Sequence, residues 1–393
     1  MSKKDFIPLS EPCITGNAWK YVKECLDTGW VSSAGDYVEK FEKAMCHYTG
    51  AKYAVAVVNG TAGLQIALKL SGVEIGDEVL VPTLTFIAPV NTIRYLGAEP
   101  VFMDCDEFMN LDPIKMDEFI KISCRKTSRG LVNKNTGRCV KAILPVHVFG
   151  NPCDMEAIMS LADKYDLKVI EDATESLGSR YISGIYKDKF TGTIGEAGVF
   201  SFNGNKIITT GGGGMIVTNN KRLAEKARYL TNQAKDDPIK YIHHEIGYNF
   251  RLTNLQAALG LAQLEQLKKF IRIKKNNYEL YRNLLDSVKG IQVLGIPRGT
   301  SPNYWFYSLL VEKKEYGISA EELMNHLTKK KIQSRPVWYL NHLQRPYRKN
   351  QACKIEKAPW FCKRVLNLPC STSLQEEQIN RVVLAIDDFA ARK

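Results

Sequence analysis

The chain has 393 residues, of which 45% are apolar and 24% charged, a balance typical of globular proteins rather than of disordered or fibrous ones. That length exceeds one ordinary hydrophobic core and implies two domains. The formal net charge of +12 is scattered rather than gathered in a tail, which argues against a nucleic-acid partner and for attraction of small anionic substrates.

No apolar run approaches the roughly 20 residues that span a bilayer. The start, MSKKDFIPLS, has two lysines but no apolar core of a signal peptide. A cytoplasmic protein without a membrane partner is expected. Ten cysteines without a CxxC pair and six scattered histidines give no metal-binding spacing, so no metal is expected and the thiols read as reduced.

In chain order, Trp19, Val22 and Leu26 share one face of a helix over 17–26, which Thr28-Gly29 ends. A second helix covers 38–48. Strands and helices then alternate. Strands are expected at 53–58, 78–81, 100–104, 142–148 and 168–172, with helices at 61–70, 87–96, 113–122 and 154–165. Near-continuous apolar strands in this rhythm predict an α/β fold, a mostly parallel sheet covered by helices on both faces. Residues 124–141 (CRKTSRGLVNKNTGRCVK) break the rhythm as a polar, basic surface insertion, read as a small hairpin.

Two further strands flank residues 203–214, and a helix follows to about Leu230. Thr253 and Gln256 form a capping box that starts a long helix. The domain boundary is placed there, giving a large domain of 1–265 and a small α+β domain of 266–393. The small domain holds a strand at 305–311, a helix at 320–329, an aromatic-rich loop around Trp338 and a terminal helix at 375–391. The N-terminal segment is expected to pack partly on it.

In a parallel sheet, ligands lie beyond the carboxyl ends of the strands. Three loops there carry chemistry. Asn59-Gly60-Thr61 offers free backbone N–H groups and a hydroxyl at a helix start, which suits a phosphate or an ordinary helix cap. Asp172, closing KVIED, reads either as a helix cap or as a counter-charge for a cationic heterocycle. Lys206 lies between two buried strands and four consecutive glycines, Gly211 to Gly214, with Ser201 on the strand before it. Desolvation there would favour the neutral, nucleophilic amine. A phosphate cradle, an anion for a ring nitrogen and an imine-forming amine are together what pyridoxal 5′-phosphate requires.

The segments EDATESLGSRY, GVFSFNGNKIITTGGGGMIVT and GYNFRLTNLQAALGLAQLE, with NGTAGLQIAL and VPTLTFIAPVNTI, resemble the DegT/StrS family of nucleotide-sugar aminotransferases. The resemblance spans nearly the whole chain and implies the fold-type I architecture. By position it implies Lys206 as the Schiff-base lysine and Asp172 as partner of the pyridine nitrogen. It implies Gly60, Thr61 and Ser201 as phosphate donors, and Phe86 as the ring stacked on the pyridine. Asn249 matches a residue that reaches the phosphate of the neighbouring subunit, which implies a homodimer. His342 matches a position near the sugar site.

Two departures stand out. Glu175 occupies a position where the family usually has glutamine or histidine, beside the cofactor's phenolic oxygen. Gly212 replaces a usual glutamate. Relatives with histidine in place of the lysine are dehydratases, and Lys206 argues against that activity. The wording is most similar to the legionaminic acid and bacillosamine branch. It implies transfer of an amino group from L-glutamate, released as 2-oxoglutarate, to C4 of a UDP- or GDP-linked 4-keto-6-deoxy hexosamine for surface glycan synthesis. A non-catalytic cofactor-binding regulator and a 3-dehydratase or C3 aminotransferase are the alternatives.

Overall fold

The computed structural model describes residues 5–237 and 239–390. Two helices come first, α1 (Ala18–Thr28) and α2 (Asp36–Thr49), each closed by a left-handed glycine, Gly29 and Gly50. The alternation follows as β1 (Tyr53–Val57), α3 (Gly60–Leu70), β2 (Glu78–Pro82), α4 (Ile87–Tyr95), β3 (Glu99–Met103) and α5 (Pro113–Ser123). The basic insertion forms a hairpin, β4 (Cys124–Thr127) and β5 (Gly130–Asn133). Asn133 and Thr136 anchor it by donating to the buried Glu78 at 2.8 and 2.7 Å. Next come β6 (Val140–Ile143), α6 (Met155–Tyr165), β7 (Lys168–Asp172), β8 (Arg180–Tyr181), β9 (Ala197–Ser201), β10 (Gly214–Thr218) and α7 (Lys221–Thr231).

The large sheet has seven strands in the order β1-β10-β9-β7-β6-β2-β3. Six run parallel, and β10 alone runs against its two neighbours. Period-two alternation splits its side chains between two cores. Val55, Val57, Val199 and Ile216 face α3, while Ala54, Ala56, Phe200 and Met215 face α2 and the long helix α8 (Asn254–Leu285). The expected capping box of α8 is formed, with Thr253 and Gln256 bonding reciprocally.

A second unit holds β11 (Ile291–Val293), β12 (Thr300–Ser301), β13 (Tyr307–Val311), α9 (Lys313–Tyr316), α10 (Ala320–Lys329), β14 (Arg335–Pro336), α11 (Lys357–Cys362), β15 (Val365–Leu368) and α12 (Glu376–Ala390). Strands β11-β13-β15-β14 form its own sheet. The boundary expected at 265/266 falls inside the unbroken α8. Near the start of the chain, Ile7 bridges to Ile332, and Leu9 accepts the Cys370 N–H at 2.7 Å.

Three local expectations are corrected. The strand expected over 142–148 stops at Ile143, because Pro145 has no N–H to donate to a ladder. The strand expected from Trp305 starts at Tyr307, because Tyr304 sits at a φ of 56°. No helix follows Asp172, whose carboxylate instead accepts the Thr174 N–H at 3.0 Å in a turn.

Strand β7 fixes the end of the sheet where function is expected. Glu171, fully buried, accepts the N–H groups of Gly192, Ile194 and Gly195 at 2.7–2.8 Å. His147 adds a fourth bond at 3.0 Å, and because its Nδ1 accepts the Cys153 N–H, its proton is on Nε2 and points at Glu171. Glu171→Ala orphans four donors, two of them buried and two half-buried. Urea unfolding of that variant should show a loss of about 3 kcal/mol or more.

Candidate active site

The carboxyl ends of β1, β7 and β9 open into a cavity of 540 Å³. Gly60, Thr61, Phe86, Asp172, Glu175, Ser201 and Lys206, all expected from the sequence, line it. They come from four separate segments, brought together because parallel strands deliver their loops to one edge.

Lys206 follows β9 in a turn closed by its own N–H to the Asn203 carbonyl. Its side chain is 13% exposed, and Nζ lies 3.6 Å from Glu175 Oε1 and 4.1 Å from the centre of the Trp305 ring. Glu175 is buried, with Oε2 accepting the Phe149 N–H at 2.9 Å. Phe149 presents that N–H from a left-handed conformation, at a φ of 54°. Burial raises the Glu175 carboxyl to about 7, against the pull of Lys206. Burial likewise raises Asp172, which is held by Thr174 among the described residues. Of these two buried carboxyls, Glu175 is the one within 4 Å of the amine among the described residues.

At the other wall, Asn59 caps α3 by accepting the Ala62 N–H at 2.8 Å. The N–H groups of Gly60 and Thr61 have no intrahelical acceptor. A Cβ on Gly60 would come within 3.0 Å of Thr174 and 3.1 Å of Ser201, so only glycine lets the helix start close on both loops. Gly212, the other departure, is not crowded. A Cβ there would meet only Gln256 Nε2, at 3.6 Å, so a side chain is sterically tolerated.

Other lining residues were not foreseen. Phe149 stacks on Trp338 at 4.5 Å and meets Phe306 edge-on at 5.6 Å, and with Trp305 they make an aromatic wall. Arg335 also lines the cavity and, among the described residues, no carboxylate pairs with it. The aromatic loop around Trp338 was visible in the sequence, but nothing near Trp305 or Arg335 marked them as neighbours of Lys206.

Two expected residues lie elsewhere in this chain. Asn249 is exposed, bridges to Asn232, and is not among the lining residues. His342 is not among them either. Its Nδ1 is bonded to Thr83 Oγ1 at 2.6 Å, and burial lowers its pKa.

Residues 12–387 match the DegT/DnrJ/EryC1/StrS aminotransferase family. The chain belongs to that family. It is 41% identical to GDP-perosamine synthase of Escherichia coli O157:H7, over 99% of this chain and 100% of the relative. It is 38% identical to GDP-perosamine synthase of Caulobacter vibrioides, over 98% and 99%. Among solved structures, DesI in the presence of its TDP-sugar product superposes with a TM-score of 0.87 at 27% identity, covering 99% of this chain and 94% of that one. The fold is therefore fold-type I, and this DegT-family member is an aminotransferase dependent on pyridoxal 5′-phosphate. The residues present fit that cofactor, with a donor-rich helix start, a buried carboxyl and a half-buried amine on one cavity. Among the described residues no helix is long and apolar enough to cross a membrane, and no His/Cys/Asp/Glu cluster could hold a metal.

Because the fold raises Glu175 from 4.5 to about 7, folding favours its neutral form. The resulting stability is fully present below pH 4.5 and is lost as pH rises to about 7. Urea midpoints of the cofactor-free chain should fall over that window, by up to about 3 kcal/mol. Glu175→Gln should flatten most of the fall, leaving the part due to Asp172.

Proposed function

We propose that the chain transfers the amino group of L-glutamate to C4 of a nucleotide-linked 4-keto-6-deoxy sugar, with Lys206 as the catalytic residue. The observation that carries this reading is Lys206 itself, a half-buried amine facing a cavity that also holds a free helix start and the buried Asp172. Two relatives at 41% and 38% identity named GDP-perosamine synthase support a GDP-linked substrate, and the motif wording supports the hexosamine branch of legionaminic acid or bacillosamine synthesis.

Bound pyridoxal 5′-phosphate supplies an aldehyde carbon that receives the amino group and a ring that stores an electron pair. The chain's own residues do the rest. Gly60, Thr61 and Ser201 bind the phosphate. Asp172 holds the proton on the ring nitrogen, and Phe86 covers a ring face. Lys206 Nζ takes the proton from the donor's Cα and, once the sugar's keto oxygen has left as water, delivers one to C4. Arg335, a charge without a carboxylate partner at the rim, suits a carboxylate of glutamate, which departs as 2-oxoglutarate. Glu175, where the family usually has a neutral group, is largely protonated below about pH 7 and there avoids repelling a nearby oxyanion.

The protein is read as a homodimer, because Asn249 lies outside its own cavity and would complete the partner's phosphate site. Mixing Lys206→Ala and Asn249→Ala chains should restore activity in hybrids, each of which has one intact site. Hybrids no better than their parents would rule out the contribution across the interface.

The deciding experiment incubates the protein with glutamate and a panel of GDP- and UDP-linked 4-keto sugars. Mass spectrometry should find one aminated product, and Lys206→Ala should form none. A full panel returned unchanged, or normal turnover by that variant, overturns the reading.

A further inference from the structure

Lys274 lies on α8, outside the cavity, with only 3% of its surface exposed. Among the described residues it has no carboxylate partner. Nζ instead donates to two main-chain carbonyls, Trp305 at 3.1 Å and Cys370 at 2.5 Å. A buried amine is expensive to keep, since desolvation alone opposes its charge, and burial does lower its pKa. In either protonation state it carries the two N–H bonds that these carbonyls use. An apolar side chain would fill the same space without that cost.

Both carbonyls belong to segments that wall the cavity. Cys370 holds Leu9, a lining residue, through its N–H. Trp305 presents its ring to Lys206 Nζ at 4.1 Å and donates its indole N–H to the Asn205 carbonyl at 2.8 Å, next to the lysine. The backbone just before Trp305 is strained. Tyr304, bulky and not glycine, is held at a φ of 56°. Such a conformation persists only where its surroundings over-determine it. On one side Asn303 supplies that hold, bonding the Glu175 and Leu177 carbonyls at 2.9 and 3.0 Å and accepting the Trp305 N–H at 3.0 Å. On the other side the hold is Lys274.

We propose that Lys274 is a positioning residue for the reaction. It pins the Trp305 carbonyl, keeps the strained turn from relaxing, and so holds the indole face against the Lys206 amine. The inference rests on Lys206 being the reacting amine. Its test is read without the cofactor, so that the two can fail separately.

The experiment is a double-mutant cycle on the full-length, cofactor-free chain, with Lys274→Met, Trp305→Leu and the pair. Acetylation of Lys206 by acetic anhydride is followed by mass spectrometry beside the thermal midpoint. With the indole displaced, Lys206 should label about five-fold faster in each single variant. The pair should label no faster than Trp305→Leu alone, because both changes act through one ring. A merely structural staple would lower the midpoint of Lys274→Met and leave the labelling rate of Lys206 at the wild-type value, which overturns the proposal. So would multiplied rates in the pair. If Lys274→Met does not fold, Lys274→Gln, whose amide keeps two N–H bonds, replaces it in the same cycle and should label between wild type and Trp305→Leu.

Discussion

A buried carboxylate must find donors or give up its charge, and β7 ends in two of them, side by side. Because neighbouring strand residues face opposite sides of a sheet, Glu171 and Asp172 meet different worlds. Glu171 turns inward and is met by three N–H groups and a histidine. Asp172 turns to the cavity and is met by Thr174. The first locks the loops behind the sheet in place. The second is left short of partners, and that shortage is what a cationic ring can satisfy. The site depends on the fold having fully satisfied one acid while withholding donors from its neighbour.

The same economy governs Lys206. Its amine has a raised carboxyl on one side and an aromatic face on the other, and no solvent-exposed carboxylate partner among the described residues. Glu175 is in turn aimed by a single N–H from a left-handed phenylalanine. Each element of the floor is set by a residue that is itself constrained, which is how a cavity without a ligand keeps its shape.

The large sheet was legible in the sequence because each strand is short, apolar and followed by a turn or a helix start. That rhythm also located Asp172, Gly60 and Lys206, since it says where strands end. What was not legible came from long-range closure. Trp305 reads as the first residue of a strand, and only the positive φ at Tyr304 turns it into a wall. Arg335 sits in a two-residue strand too short to leave a pattern. Phe149 follows a stretch apolar enough to pass for strand and sits in the short 3-10 turn of residues 148–150, at a φ of 54°. The roles given to Asn249 and His342 came from resemblance rather than from pattern, and both side chains lie outside the cavity of their own chain.

The long helix has a mechanical meaning. At 32 residues without a proline, α8 is a rod of about 48 Å, capped beside the glycine loop and continuing into the second unit. A rod of that kind ties the two units together through one unbroken ladder of backbone hydrogen bonds. The half-exposed Phe86 and the exposed Arg335 are then lining side chains with room to turn without either unit moving.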